Sequence, residues 1–136
     1  MNKKNLKYRV TYLEMNRKPS FDWPKNLKHK LSILLAESFP TWYFLFFYKQ
    51  VGKNYYWTDW LRKSDEEIDE FVNNKNVLLY TLIKDGWPVG FYMLDYRKKD
   101  ICDLSFFGLV DEVIGIGLGK YLLQTAILTA WDSRKI

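Results

Sequence analysis

One cysteine and one histidine are all the thiol and imidazole in this chain of 136 residues. Cys102, being alone, excludes an internal disulfide framework, and a reducing compartment such as the cytoplasm is the simplest expectation. His29 has no second histidine and no nearby thiol, so no metal centre is expected. Long hydrophobic runs are missing as well. The most apolar stretch, residues 39–48, is about ten residues long, half of what a membrane span requires, so no membrane partner is expected. The opening MNKKNLKYRV is basic but has no apolar core behind it, which is not the pattern of a secretory signal. Apolar residues still make up 48% of the chain. That is enough for a single domain over residues 1–136 with a core that needs no disulfide or metal.

Acidic charge is scarce at one end only. The net charge is +5, yet residues 1–30 hold nine Lys and Arg against two acids, while the remainder is slightly acidic. Such a segment can attract nucleic acid or anionic lipid, or simply solvate a mobile edge. The basic residues form no helical stripe and no nucleic-acid module surrounds them, so the solvated reading is preferred.

Glycine is also sparse, and three of the seven glycines sit at alternate positions within residues 104–123, LSFFGLVDEVIGIGLGKYLL. An aromatic and aliphatic run ends near Val110, an acidic turn follows, and Gly115, Gly117 and Gly119 come next. Leu118, Leu122, Leu123, Ala126, Ile127, Ala130 and Trp131 then recur at helical spacing. The stretch reads as strand, glycine loop, helix. Glycines allow positive φ and close approach to bare amides, and the helix start leaves four amides unpaired beside a partial positive charge. Together these features predict an anion site, most naturally for phosphate.

Spacing separates the phosphate-loop families. A P-loop needs glycine five places before Gly119 and Ser or Thr after Lys120, where this chain has Ile114 and Tyr121. A dinucleotide fingerprint requires a second strand with an acidic end about 20 residues on, which the sequence does not reach. The loop instead resembles the acetyl-CoA loop of the GNAT superfamily of N-acyltransferases: Gln or Arg, two residues, Gly, one residue, Gly or Ala. Gly117 and Gly119 match its glycines, and Ile114 stands where Gln or Arg is usual. The resemblance covers roughly residues 7–131, and the strings VGKNYYWTDW and FGLVDEVIGIGLG resemble a bacterial group within the superfamily.

The order of elements agrees with that resemblance. Residues 7–15 alternate, with Tyr8, Val10 and Tyr12 on one side, which predicts a first strand. Leu27, Leu31, Leu34 and Leu35 repeat at helical spacing before Pro40 and predict a short helix. Between Pro40 and Gly52 a three-turn helix is expected, apolar nearly all round and so largely buried. Residues 41–60 hold ten of the 25 aromatic residues, a density that suits a core first and a substrate cleft second. Ser64 followed by Glu67 is a capping box opening a helix through Val72, which makes that acid run structural. Residues 77–83, 89–96 and 101–110 read as three antiparallel strands, with Asp85-Gly86-Trp87-Pro88 as a hairpin turn.

The fold class expected is therefore α/β of the α+β type: a GNAT-like mixed, mostly antiparallel sheet with flanking helices. The resemblance implies a fifth strand from about Ser133 onward, so the chain reads as C-terminally incomplete. An open sheet edge, weak CoA affinity, self-association and little turnover are the corresponding expectations. It further implies acetyl-CoA as acyl donor, no metal, and a small-molecule or protein amine as acceptor. The donor would be held by Leu109, Val110, Ile114, Gly115, Ile116, Gly117, Leu118, Gly119 and Lys120. Main-chain groups of residues 107–110 would face the thioester, Asp103 is placed like the catalytic base of some branches, and Tyr43, Tyr48, Tyr55 and Trp57 are candidates for the acceptor groove. By alternation Asp103 is expected to share a face with Ser105 and Phe107, away from Phe106. The usual general acid, a tyrosine on a later helix, has no counterpart. An acyl-CoA binder without turnover, or a nucleic-acid module, are the competing classes.

Overall fold

The computed structural model describes residues 7, 9–26 and 28–133. Six residues between Pro24 and Pro40 form the first strand, β1 (Leu31–Ala36), where helical spacing had suggested a helix. A short apolar run fits both periods, because Leu31, Ile33 and Leu35 also alternate. Pairing decides: β1 lies antiparallel to a later strand from Leu31 opposite Lys84 to Ala36 opposite Leu79. The expected strand over residues 7–15 does not form at residues 7 and 9–15, which carry no helix or strand, and Tyr8 and Leu27 lie outside the described residues. An alternating pattern becomes a strand only where a sheet edge pairs with it.

Helix α1 (Thr41–Gly52) runs between the two expected signals. It buries Phe44, Phe47, Tyr48 and Val51, the i, i+3, i+4, i+7 stripe of a helix lying on a sheet. The opposite side is not covered: Trp42 is 66% exposed and Phe46 37%. The helix is thus buried on one face, not all round. Gly52 lets the chain fold back, since a Cβ there would meet the Trp57 side chain at 2.5 Å. Helix α2 (Asp65–Val72) starts as expected, with the Ser64 hydroxyl accepting from the Glu67 amide at 3.2 Å, a cap worth about 1 kcal/mol.

Strands β2 (Val77–Lys84), β3 (Trp87–Asp95) and β4 (Asp103–Leu109) complete an antiparallel sheet in the order β1-β2-β3-β4. The β2–β3 turn is tighter than expected. Asp85 (φ 52°) and Gly86 (φ 89°) make it alone, both left-handed as a two-residue hairpin with right-handed strand twist demands, and Trp87 and Pro88 already belong to β3. Helix α3 (Leu118–Ser133) packs on the other face. Phe91 stacks on Phe47 of α1 at 4.9 Å, while its neighbour Tyr92 bonds Thr129 of α3 at 2.9 Å. Adjacent strand residues point to opposite faces, so the sheet lies between α1 and α2 on one side and α3 on the other. The α+β class and the sheet with flanking helices agree with the sequence; the described strands are all antiparallel.

Candidate functional site

The carboxyl end of β4 feeds directly into the glycine loop. Gly108 has no Cβ to keep α1 away; one placed there would lie 2.2 Å from Val51 Cγ1. Val110 is buried, and its amide donates to the Val89 carbonyl at 2.8 Å, Val89 being the extra residue of a bulge in β3. A short 3-10 turn, Asp111–Val113, follows with Val113 plugged into the core. The chain then emerges. Ile114 and Ile116 are exposed, and Gly115 and Gly117 both take φ 88°, a conformation that other residues adopt only under strain.

Open space lies over both glycines: nothing sits within 4 Å of a Cβ built on Gly115 or Gly117. Among the described residues no carbonyl or side chain outside the helix accepts from the amides of Gly115, Ile116, Gly117, Leu118, Gly119 or Lys120. The last four are the amides that α-helix geometry leaves unpaired. Lys120 is exposed in the first turn of α3, where a cation opposes the helix dipole unless an anion offsets it. Of the two acids that precede the loop, Glu112 is exposed and Asp111 is drawn toward the loop after α1. Asp111 accepts from Asn54 Nδ2 at 2.6 Å and pairs with Lys53 at 3.5 Å, which ties the loop after α1 to the start of the glycine loop. Leu109 lines the other side, its Cδ1 lying 4.0 Å from a Cβ built on Gly119. These groups form an open, amide-rich cradle at a helix start, of the kind that suits a phosphate-bearing ligand.

Asp103 sits at the opposite end of β4, six strand steps or about 20 Å from Leu109. Its face differs from the expected one. Asp103 lies opposite Asp95 and Phe106 opposite Met93, with Ser105 as an extra, bulged residue between them. Met93 and Asp95 share a face, so Asp103 and Phe106 do too, while Phe107 lies opposite Tyr92 on the α3 side. The bulge inverts the alternation on which the sequence reading rested.

A groove of about 590 Å³ lies along this first half of β4, walled by Trp60, Phe71, Phe106 and the segment Thr11, Tyr12 and Leu13. Arg97 grips Asp95 with Nε–Oδ1 3.0 Å, Nε–Oδ2 3.1 Å and Nη2–Oδ2 2.8 Å, and lies 4.9 Å above the Phe71 ring. Burial pushes the Asp95 carboxyl up, but the Arg97 hydrogen bonds and charge outweigh burial and hold it below the usual carboxylate range. A lowered folded pKa means stability that is complete above the unfolded pKa and lost as pH falls through the folded value. Asp95→Asn should therefore cost about 2 kcal/mol at pH 7 and less at pH 3, measured by urea denaturation at both pH values. An equal cost at both would show that the charge is immaterial. Burial pushes the Cys102 thiol up to about 11, so it is a neutral wall of the groove and not a nucleophile.

The aromatic candidates divide. Tyr43 bonds Thr81 Oγ1 at 2.7 Å and Tyr48 accepts from the Trp60 amide at 3.1 Å, so both hydroxyls serve the core. Tyr55 is exposed, and Trp57 packs beside Phe106 with ring centroids 5.9 Å apart, which leaves these two at the rim. Among the described residues no cluster of His, Cys, Asp and Glu is placed to hold a metal ion, and no helix is long and apolar enough to cross a membrane.

The architecture is similar to a solved structure, the IAA acetyltransferase from Bacillus cereus ATCC 14579, with a TM-score of 0.54 and 19% sequence identity. The match covers 76% of this chain and 60% of that one. At this identity the likeness shows the fold, which is GNAT-like. No protein-family model and no curated protein matches the sequence.

Proposed function

We propose that this chain is an N-acyltransferase that takes an acetyl group from acetyl-CoA and passes it to an amine. The observation that carries the proposal is the cradle at residues 115–120: two left-handed glycines under open space, and amides without partners at the start of a 16-residue helix that directly follows β4. Its amides and Lys120 would hold the donor's pyrophosphate, and Leu109 and Val110 would line the entry of the donor's arm onto β4. The acyl donor supplies a thioester whose carbonyl carbon accepts the amine nitrogen. A C–N bond forms, the C–S bond breaks, and the sulfur leaves with the bonding electron pair as a thiolate, which takes a proton from water to become the free thiol. Backbone amides near the end of β4 would stabilise the developing oxyanion without a special side chain. The proton that the amine releases would pass to solvent water, because Asp103, the base expected from the sequence, lies about 20 Å along β4 from Leu109. The lone Cys102 supports a reducing, cytoplasmic setting.

The test is incubation with acetyl-CoA and a panel of amines, following thermal stabilisation and free thiol together. Stabilisation with amine-dependent thiol release is expected. Stabilisation without thiol release would identify an acyl-CoA holder that does not turn over, and the loss of both signals would overturn the reading.

A further inference from the structure

We infer that the outer edge of β1 pairs with β1 of a second copy of this chain, antiparallel about a two-fold axis at Ile33, so that two sheets join into one. The ladder shows which main-chain groups are available. The Asp85 amide donates to the Lys30 carbonyl at 3.0 Å, so Lys30 turns its main-chain groups toward β2. By the alternation of an antiparallel ladder Ser32, Leu34 and Ala36 do the same. Leu31, Ile33 and Leu35 therefore turn theirs outward, and among the described residues nothing bonds to them there. An unpaired strand edge is a template for another strand.

The two edges of the sheet differ. β4 begins with a charge at Asp103, is bulged at Ser105 and has Thr11, Tyr12 and Leu13 across the groove beside it, all of which obstruct a further strand. β1, LSILLA, has no charge, proline or glycine, and its register with β2 runs without a shift. Its outward groups read the same from both ends, which makes a second β1 the fitting partner. With Ile33 on the axis, Leu31 meets Leu35 of the second copy, Ile33 meets its own counterpart and Leu35 meets Leu31, each pair exchanging both hydrogen bonds. A register two residues away would carry one end past the strand, to His29 or to Glu37. Leu35 lies opposite Tyr80, which stacks on Tyr92 on the α3 side, so the paired side chains form an apolar row on that face and cover Leu35, 39% exposed in the single chain. The flanks are complementary in charge. Exposed Lys28 and Lys30 precede β1 and exposed Glu37 follows it, and among the described residues none of the three is in an ion pair. Antiparallel pairing sets the basic end of each copy beside Glu37 of the other. The glycine cradle lies beyond β4, at the far edge of the sheet, and stays open.

Sedimentation equilibrium of the full chain, from about 1 μM to about 1 mM, tests the pairing. A reversible equilibrium between monomer and dimer is expected, with no larger species, because the pairing consumes the edge it uses. Ile33→Pro removes an outward N–H that β2 does not use, a change an edge strand tolerates, and should weaken the dimer about 100-fold or more. Ile33→Lys sets two ammonium groups opposite each other on the axis and should act likewise if the proline variant does not fold, as circular dichroism and urea denaturation will show. The register has its own readout. In a Cys102→Ser background, Ser32→Cys and Leu34→Cys proteins mixed under a mild oxidant should cross-link with each other and not with themselves, since these two positions face one another across the axis. A parent that stays monomeric at about 1 mM, a dimer of parental strength in the folded Ile33 variants, or cross-linking of Ser32→Cys alone as readily as in the mixture would overturn the assignment.

Discussion

Gly119→Glu is expected to raise the melting temperature by about 4 °C and to abolish the further rise that acetyl-CoA produces in the parent. The two effects come from one position and have opposite signs. Gly119 is the second residue of α3, with an ordinary helical φ, and a Cβ there would meet only Leu109 at 4.0 Å. Replacing glycine inside a helix with a good helix former contributes about 1 kcal/mol, and an acid in the first turn adds about 0.5 kcal/mol through the dipole. The same carboxylate occupies the cradle's positive field and repels a pyrophosphate. At a ligand concentration near 100 times Kd the parent should gain about 2.7 kcal/mol, and the variant close to none. Gly119→Ala is the control, keeping most of the stability gain and most of the ligand response. Gly117 is a poorer probe because any side chain at φ 88° is strained on its own account. An undiminished acetyl-CoA shift in a well-folded Gly119→Glu protein would remove the phosphate cradle from the site.

The backbone of the glycine loop was legible in the sequence because glycine spacing speaks directly of backbone conformation, and both Gly115 and Gly117 adopt the left-handed φ that the pattern implied. Local chemistry was legible elsewhere for the same reason. The Ser64 cap and the Asp85-Gly86 turn depend on residues no more than three places apart. What depended on a distant partner was not. Residues 31–36 satisfied helix and strand periods alike until β2 supplied a neighbour. Asn54 and Asp111 meet across 57 positions, and nothing local marks either one. The face of Asp103 was misread because a bulge shifts the two-residue alternation by one, and Ser105 carries no sequence mark of it. Asp95 and Arg97 lie two apart at a strand end, a spacing that could have signalled a pair, but the groove that gives the pair its meaning is formed by α2, β4 and the N-terminal segment together.

Gly108→Ala should destabilise the chain by about 2 kcal/mol and reduce the response to acetyl-CoA, although no atom of the glycine loop is altered. A methyl at Gly108 would lie 2.2 Å from Val51 Cγ1, well inside any tolerable contact, and Val51 is 1% exposed with no room to retreat. Either α1 lifts from the sheet or β4 bends, and overpacking of this kind costs about 1–3 kcal/mol. A gain of about 0.5 kcal/mol from the stiffer unfolded chain offsets only part of it. The functional loss follows from position. Gly108 is followed at once by Leu109 and Val110, whose backbone sets where the glycine loop emerges, and Val110 is anchored to Val89 by a single 2.8 Å bond. Val51→Ala removes the colliding methyls and by itself should cost about 2 kcal/mol as a small cavity. The double variant should then be more stable than the sum of the two single effects predicts, by about 2 kcal/mol, and should recover its acetyl-CoA response. Urea denaturation of the four proteins measures the coupling. Additivity within about 0.5 kcal/mol would mean that α1 and β4 do not meet at this point, and the bond between helix position and loop geometry would be lost with it.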